Sequence, residues 1–463
     1  MTLEHIRSDY KDVTDFVVKT IKNVNIIYLE SLISQDKIND YILKQIVSKK
    51  IILNIEKVIA SPHVVNINNY DDLKIYLESG FTIVIYKNKI LAVETKGNLS
   101  RSISTPEAEP TLYGPKEAFN ENIQNNIGLI KRRIKSNKLK NINLFIGRYS
   151  KTITSILYID GISNLSLVNE VKNKLNKIDI DGINDIGELK KYLIDEKRNV
   201  FPALRITERP DLIARSLLNG KIVIMIDNSP FAIILPSFLA DFINPIADNY
   251  NKSMNINFVK ILRLFCFLVA IMVPGIYVAL TTFNQEALPT SLLLNIQNQR
   301  LDVPFPAFFE CIITLIICEI LRESDLRFPS SYGSAISILG ALVLGEAAVS
   351  AGIVSPIMII VVAITFITSL IFTDIEIINA IRAFRFLYLL MGSIFGLYGI
   401  GLTFIFMLVN LINFENFGKP YLYPIQPFDL TYIKDTLFKM DNKKRSKLLS
   451  NNTYKEEAWK NYY

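Results

Sequence analysis

The side chains with chemistry to offer sit where charge is least at home. From Phe258 to Ile412 the chain is largely apolar, yet it carries Glu310, Glu319 and Glu346. A carboxylate in a lipid-facing position costs several kcal/mol, so each of these should face protein or water. Glu319 stands one helical turn before Arg322, the spacing of an intrahelical ion pair. Glu346 has no basic residue near it in sequence. Its neighbourhood, SAISILGALVLGEAAVSAG, is packed with Gly, Ala and Ser, which let helix backbones approach closely in lipid. Leu339, Val343, Glu346 and Ser350 fall on one face of such a helix. Copies gathered around an axis would make a ring, apolar at Leu339 and Val343 and acidic at Glu346. Rings of this kind gate by dewetting and select cations. The plainer reading, a tightly packed interior helix, fits the same residues.

Familiar enzyme chemistry is not visible. The chain has two histidines, His5 and His63, and no Walker loop, HExxH, nucleophile elbow or paired metal ligands. No catalytic residue, cofactor or metal is expected. Asp179–Glu188, DIDGINDIGE, fails the calcium-loop test at its sixth position, Asn184, and its twelfth, Lys190. Cys266, Cys311 and Cys318 lie in apolar stretches and read as buried small hydrophobes.

Five apolar stretches could position these acids: Phe258–Leu280, Phe305–Leu321, Ser334–Ser350, Val354–Phe372 and Phe384–Ile412. The first is long enough to cross a bilayer core of about 30 Å; the second and third are near the lower limit of about 17 residues. Pro274 and Gly275 interrupt the first and are candidate hinge residues; a simple kink is the alternative. The fifth is long for one crossing and short for two, and a bent hairpin near Gly392–Gly401 would return the chain to its starting side. Lys252, Lys260 and Arg263 precede the first stretch, Arg322 and Arg327 follow the second, and Arg382 and Arg385 follow the fourth. The positive-inside rule then puts the preceding domain on the cytoplasmic side. The start, MTLEHIRSDYKDVTDFVVK, has no apolar secretory core.

Up to about Tyr250 the chain reads as a soluble mixture of strand and helix. Strand-like runs are Thr82–Tyr86, Ile90–Glu94, Ile153–Ile159, Ile222–Ile226 and Ala232–Leu235; helical spacing appears in Val24–Val47, Glu117–Arg133 and Leu165–Leu175. One pattern occurs twice. Asp71–Thr95 and Asp211–Leu235 each hold a short helix ending at a Gly, then two β-rich runs joined by a polar turn. Shifted by 140 residues, Gly80 falls on Gly220, Asn88 on Asn228 and Ala92 on Ala232. The expected fold is α+β: two related α/β subdomains followed by an α-helical transmembrane bundle. The divisions are 1–110, a connecting basic helix region at 111–150, a second subdomain at 151–250, a helical membrane domain at 256–415 and a polar basic tail at 416–463. Lys131, Arg132, Arg133, Lys135, Lys138 and Lys140 make a basic cluster that reads as a solvated helix end or a contact for anionic lipid or an acidic partner. Nucleic acid is not expected, since no aromatic platform accompanies it and the net charge of +7 is modest.

With these residues in view, the chain resembles the A-subunit family of spore germinant receptors from about Thr105 to Pro424. The stretches that carry the likeness are EPTLYGPKEAFNENIQNNIGLIKRR, TERPDLIARSLLNGKIVIMIDNSPFAIILP, PGIYVALTTFNQEALPTSLLLNIQNQR, VPFPAFFE, EILRESDLRFP, GALVLGEAAVSAGIVSP and FGKPYLYP. The first hundred residues match little beyond the internal echo. The resemblance implies a multi-pass protein of the spore inner membrane. It implies a permease-like B subunit and a lipoprotein C subunit as partners, and a homo-oligomeric cation channel opened when a partner senses germinant. The alternative is a non-conducting membrane scaffold or an auxiliary spore membrane protein that supports germination signalling.

Overall fold

The computed structural model describes residues 3–49, 55–56, 58–67, 69–87, 89–97, 105–106, 108–111, 114–194, 200–250, 253–327, 343–423 and 425–426. They form two compact units, one built almost wholly from residues before Phe238 and one from residues after it.

The first unit contains two five-stranded sheets of the same design. Helix α1 (Leu3–Asp9) leads into the hairpin β1 (Phe16–Ile21) and β2 (Val24–Leu29). Short helical pieces α2 (Gln35–Ile38) and α3 (Lys44–Ser48) follow, then β3 (Val64–Asn66), α4 (Tyr70–Glu78), β4 (Phe81–Tyr86) and β5 (Lys89–Glu94). Strand order is β1-β2-β4-β5-β3, antiparallel throughout. Alternation along the strands fills two cores. Ile83 and Ala92 join Leu73 and Leu77 of α4 on one face, while Val84, Leu91 and Val93 join Ile42 and Ile46 on the other.

The second sheet repeats this plan. After α5 (Ile123–Arg133) come β6 (Leu139–Ile146), β7 (Thr152–Ile159), α6 (Leu165–Asn176), α7 (Ile186–Leu193), β8 (Arg205–Thr207), α8 (Pro210–Leu218), β9 (Ile222–Ile226) and β10 (Ala232–Leu235). The order β6-β7-β9-β10-β8 is that of the first sheet, strand for strand. Both echoed helices end the same way, at Gly80 with φ +84° and Gly220 with φ +81°, a conformation open to glycine without penalty. Asn88 lies outside the described residues; Asn228 has φ +69° in the second turn.

Two sequence expectations change. Val24–Leu29 is strand, not helix: its Val, Ile and Tyr side chains suit a pleated surface, and it pairs with both β1 and β4. The second sheet takes its first strand from Leu139–Ile146, inside the region expected to connect the subdomains, because β6 needs β7 as its hairpin partner.

The second unit is helical. A short α9 (Leu239–Ile243) precedes α10 (Ser253–Thr282), α11 (Thr290–Arg300) and α12 (Ala307–Arg327). A wide turn at Val343–Ala347 leads into α13 (Ala348–Ser350), then α14 (Pro356–Ser369) and α15 (Ile375–Asn413). By length and composition, Ile256–Thr282 and Ile375–Asn413 could each cross a membrane. Tyr277, Val278, Cys311, Leu315, Met358, Val362 and Leu389 form a core shared by α10, α12, α14 and α15.

α15 is two helical legs rather than one rod. Gly396, at φ +61° and ψ −145°, breaks it, and the chain doubles back so that a Cβ on Gly399 would collide with the Met391 carbonyl oxygen. Of the two arrangements left open by the sequence, this is the bent hairpin. The first leg presses on α10 through glycines: a Cβ on Gly392 would meet the Gly275 carbonyl oxygen at 2.7 Å, and one on Gly275 would meet that of Tyr388 at 2.6 Å. α10 runs helically through Pro274, and Gly275 serves a close backbone contact. Beyond α15, the first residues of the stretch expected as a polar basic tail are packed down. Asn416 and Lys419 pair across a tight hairpin, and fully buried Tyr421 donates its backbone N–H to Phe414 at 2.9 Å.

Gly392→Leu should therefore separate α10 from α15 and cost about 3 kcal/mol. The check is the thermal midpoint of the purified full-length chain in detergent; an unchanged midpoint would contradict the packing.

Candidate functional site

The basic cluster expected at Lys131–Lys140 is largely consumed within the first unit. Lys131 is buried and reaches the buried Asp15 carboxylate at 2.5 Å. Ser31 donates to the same carboxylate, also at 2.5 Å. Lys140 donates to the Asp9 carbonyl at 2.7 Å, while Arg132 and Arg133 both pair with Glu117. Asp15 precedes β1 and Lys131 belongs to α5, so the pair joins the two α/β halves. Burial alone would raise the Asp15 carboxyl, but the charge and hydrogen bond of Lys131 outweigh it and hold the group below its ordinary value. Glu78, across a small cavity from Lys131, goes the other way: burial raises it despite the hydrogen bond from Tyr10.

Two stretches that carry the family likeness meet in a buried knot. Arg209, just before α8, is 1% exposed and spends every donor it has. Its Nε and Nη2 hold Asp211 at 3.1 and 2.8 Å. Nη1 reaches the Glu109 carbonyl and Thr111 Oγ1 at 3.1 and 2.8 Å, and Nη2 also reaches the Pro115 carbonyl at 3.2 Å. Glu208 accepts from the backbone of Ala108 and Glu109, and Glu109 pairs with Arg205 and Thr207. A guanidinium so fully spent organises loops and has nothing left for a ligand. Asp185, in the acidic segment that fails as a calcium loop, caps α7 by accepting from Gly187 N–H at 3.0 Å.

In the helical unit each intramembrane acid expected from sequence has a distinct setting. Glu310 is fully buried at the start of α12. It accepts from the Ser355 N–H at 2.6 Å and from the Ser355 hydroxyl, with Arg300 Nε at 3.6 Å from its other oxygen. It thus ties the start of α12 to the residue that caps α14, with Arg300 at the end of α11 alongside, a link no local spacing announces. Glu319 does pair with Arg322, as expected, but it also meets Arg382 at 3.0 Å and Arg385 at 3.5 Å. Arg385 is itself buried and donates from Nε to the Ala270 carbonyl of α10 at 2.8 Å. One carboxylate therefore holds α12 and the first leg of α15, with Arg385 reaching on to α10.

Of the pore-lining candidates, Leu339 lies outside the described residues, as does the side chain of Val343. Glu346 and Ser350 are exposed on the same side, and the Ser350 hydroxyl donates to the Glu346 carbonyl at 2.7 Å. The wide turn at Val343–Ala347 holds both Val343 and Glu346.

The sequence pattern described as "Bacillus/Clostridium GerA spore germination protein" matches residues 4–448. Spore germination protein KA of Bacillus subtilis (strain 168) is 35% identical over 443 residues, 92% of this chain and 81% of that protein. Spore germination protein GerQA of Bacillus cereus is 31% identical over 448 residues, 95% and 90% of the two chains. The crystal structure of the N-terminal domain of the A subunit of the Bacillus megaterium spore germinant receptor GerK3 aligns at 29% identity with a TM-score of 0.40. It covers 51% of this chain and 94% of that one. The chain belongs to the GerA family of spore germination proteins.

Arg209→Lys keeps the charge but cannot fill five acceptor positions, and should cost the full-length chain about 3 kcal/mol or more, read as a lowered unfolding midpoint. The Asp15–Lys131 pair predicts an acid limit. A depressed carboxyl gives stability that is whole above its unfolded value of about 3.9 and is lost as pH falls through the folded value. Protection of the α5 amides, exchange measured relative to the unstructured chain at the same pH, should fall below about pH 4, and Asp15→Asn should show the lower protection already at pH 7.

Proposed function

We propose that this chain is the A-type subunit of a nutrient germinant receptor in the spore membrane, where copies of it form a cation channel. In this reading α10, α12, α14, the legs of α15 and the 334–350 segment lie in the bilayer as a multi-pass bundle. The α/β unit faces the cytoplasm, and a permease-like B subunit and a lipoprotein C subunit complete the receptor. Germinant sensed by a partner opens the ring.

Exposed Glu346 carries the proposal. Glu310 is buried and Glu319 half-buried, each against arginine, whereas Glu346 stands exposed, beside Gly345, where an added Cβ would meet nothing within 4 Å among the described residues, and one turn before exposed Ser350. A carboxylate in an apolar helical unit, turned outward from its own chain, fits a water-filled axis formed with other copies. The apolar outer surface supports placement in lipid: Ile360, Ile364, Ile367, Ile405 and Phe406 are all exposed.

Purified protein in liposomes should pass monovalent cations. Glu346→Gln should lower cation over anion selectivity several-fold, and Val343→Ala should raise the basal leak. Flux no greater than that of empty liposomes would favour the alternative, a non-conducting scaffold or auxiliary membrane protein.

A further inference from the structure

The Glu319 cluster is out of balance. Among the described residues a single carboxylate faces Arg322, Arg382 and Arg385, all within 3.5 Å of it. Counting exposed Glu323 beside Arg322 still leaves positive charge in excess. The donors are out of balance too. Arg322 Nε and Nη1 and Arg382 Nε are buried and meet no acceptor among the described residues. Arg209 in the other unit shows what this chain does when an arginine is purely structural: all its donors are taken. Buried N–H groups on a cation are costly to leave unpaired.

Geometry narrows the ligand. The guanidinium of Arg322 also sits over the Phe366 ring of α14, 5.5 Å from its centre, which fixes one fork against an apolar wall. Arg382, with its side chain 38% exposed, is the open side of the cluster. It lies two turns into α15, about 10 Å from the helix start, on the end that carries the arginines. Guanidinium forks match the oxygens of a phosphate, and basic pockets between membrane helices on the cytoplasmic side suit anionic headgroups.

We infer that Arg322 and Arg382, held by Glu319 and Arg385, form a binding site for the phosphate of an anionic phospholipid lodged between α12, α14 and α15. The inference rests on placing these helices in the bilayer. Bound lipid would complete the charge balance of the cluster and brace α12 against α15.

The test uses the full-length chain in neutral detergent. Native mass spectrometry counts retained lipid, and thermal unfolding is followed with added phosphatidylglycerol, phosphatidylcholine or inorganic phosphate. Phosphatidylglycerol should be retained and should raise the midpoint; phosphatidylcholine should do neither. Arg382→Gln, which leaves Glu319 paired with Arg322 and Arg385, should fold and lose about tenfold in apparent affinity for phosphatidylglycerol. Arg322→Gln should do the same. Equal response to both lipids, or unchanged lipid affinity in both variants, overturns the site. Stabilisation by inorganic phosphate equal to that by phosphatidylglycerol would make it a free-phosphate site and overturn the lipid assignment. Detergent-free solubility of the chain is a separate measurement; it would refute the bilayer placement without bearing on phosphate affinity.

Discussion

A charged side chain taken out of water must find its counter-charge inside the protein, and this constraint organises the molecule. Asp15 and Lys131 join the α/β halves, Arg209 gathers Glu109, Thr111 and Pro115 onto the entrance of α8, Glu310 binds the start of α12 to Ser355, and Glu319 clamps α12 to the first leg of α15. Each pair is costly to break, because the partner left behind would be buried and unpaired. Their value lies in specifying which elements meet.

Against that background Glu346 is the exception. It belongs to the same apolar unit as Glu310 and Glu319, yet it is exposed while they are held by arginine. In the proposed reading its counter-environment comes from other copies and the water between them. The wide turn at Val343–Ala347 begins at the residue proposed to gate, and turns of this kind are frequent at functional sites.

Much of the α/β unit was legible in the sequence because its signals are local. Gly80 and Gly220 mark helix ends, and the alternating runs after them are hairpins. The shared strand order extends that echo to β1–β3 and β6–β8, whose short or ambiguous runs gave no matching signal. The helical spacing read over Val24–Val47 misled because β-branched residues of β2 happened to continue into the apolar positions of the helical pieces after it. The Glu319–Arg322 pair was readable from spacing. Its link to Arg385, 66 positions away, and that of Lys131 to Asp15, 116 positions away, were not, since the fold alone brings such partners together. Gly392–Gly401 pointed to a bend in sequence; the reversal at Gly396 needed the contact between the two legs to be seen.

The proposed channel depends most directly on what Glu346 faces when copies assemble. A structure of the full-length protein with its receptor partners in lipid nanodiscs measures this. The account predicts several copies around an axis, with Glu346 carboxylates turned toward it and α15 toward lipid. A single copy, or Glu346 directed into the lipid or against a partner subunit with no continuous path beside it, would contradict it.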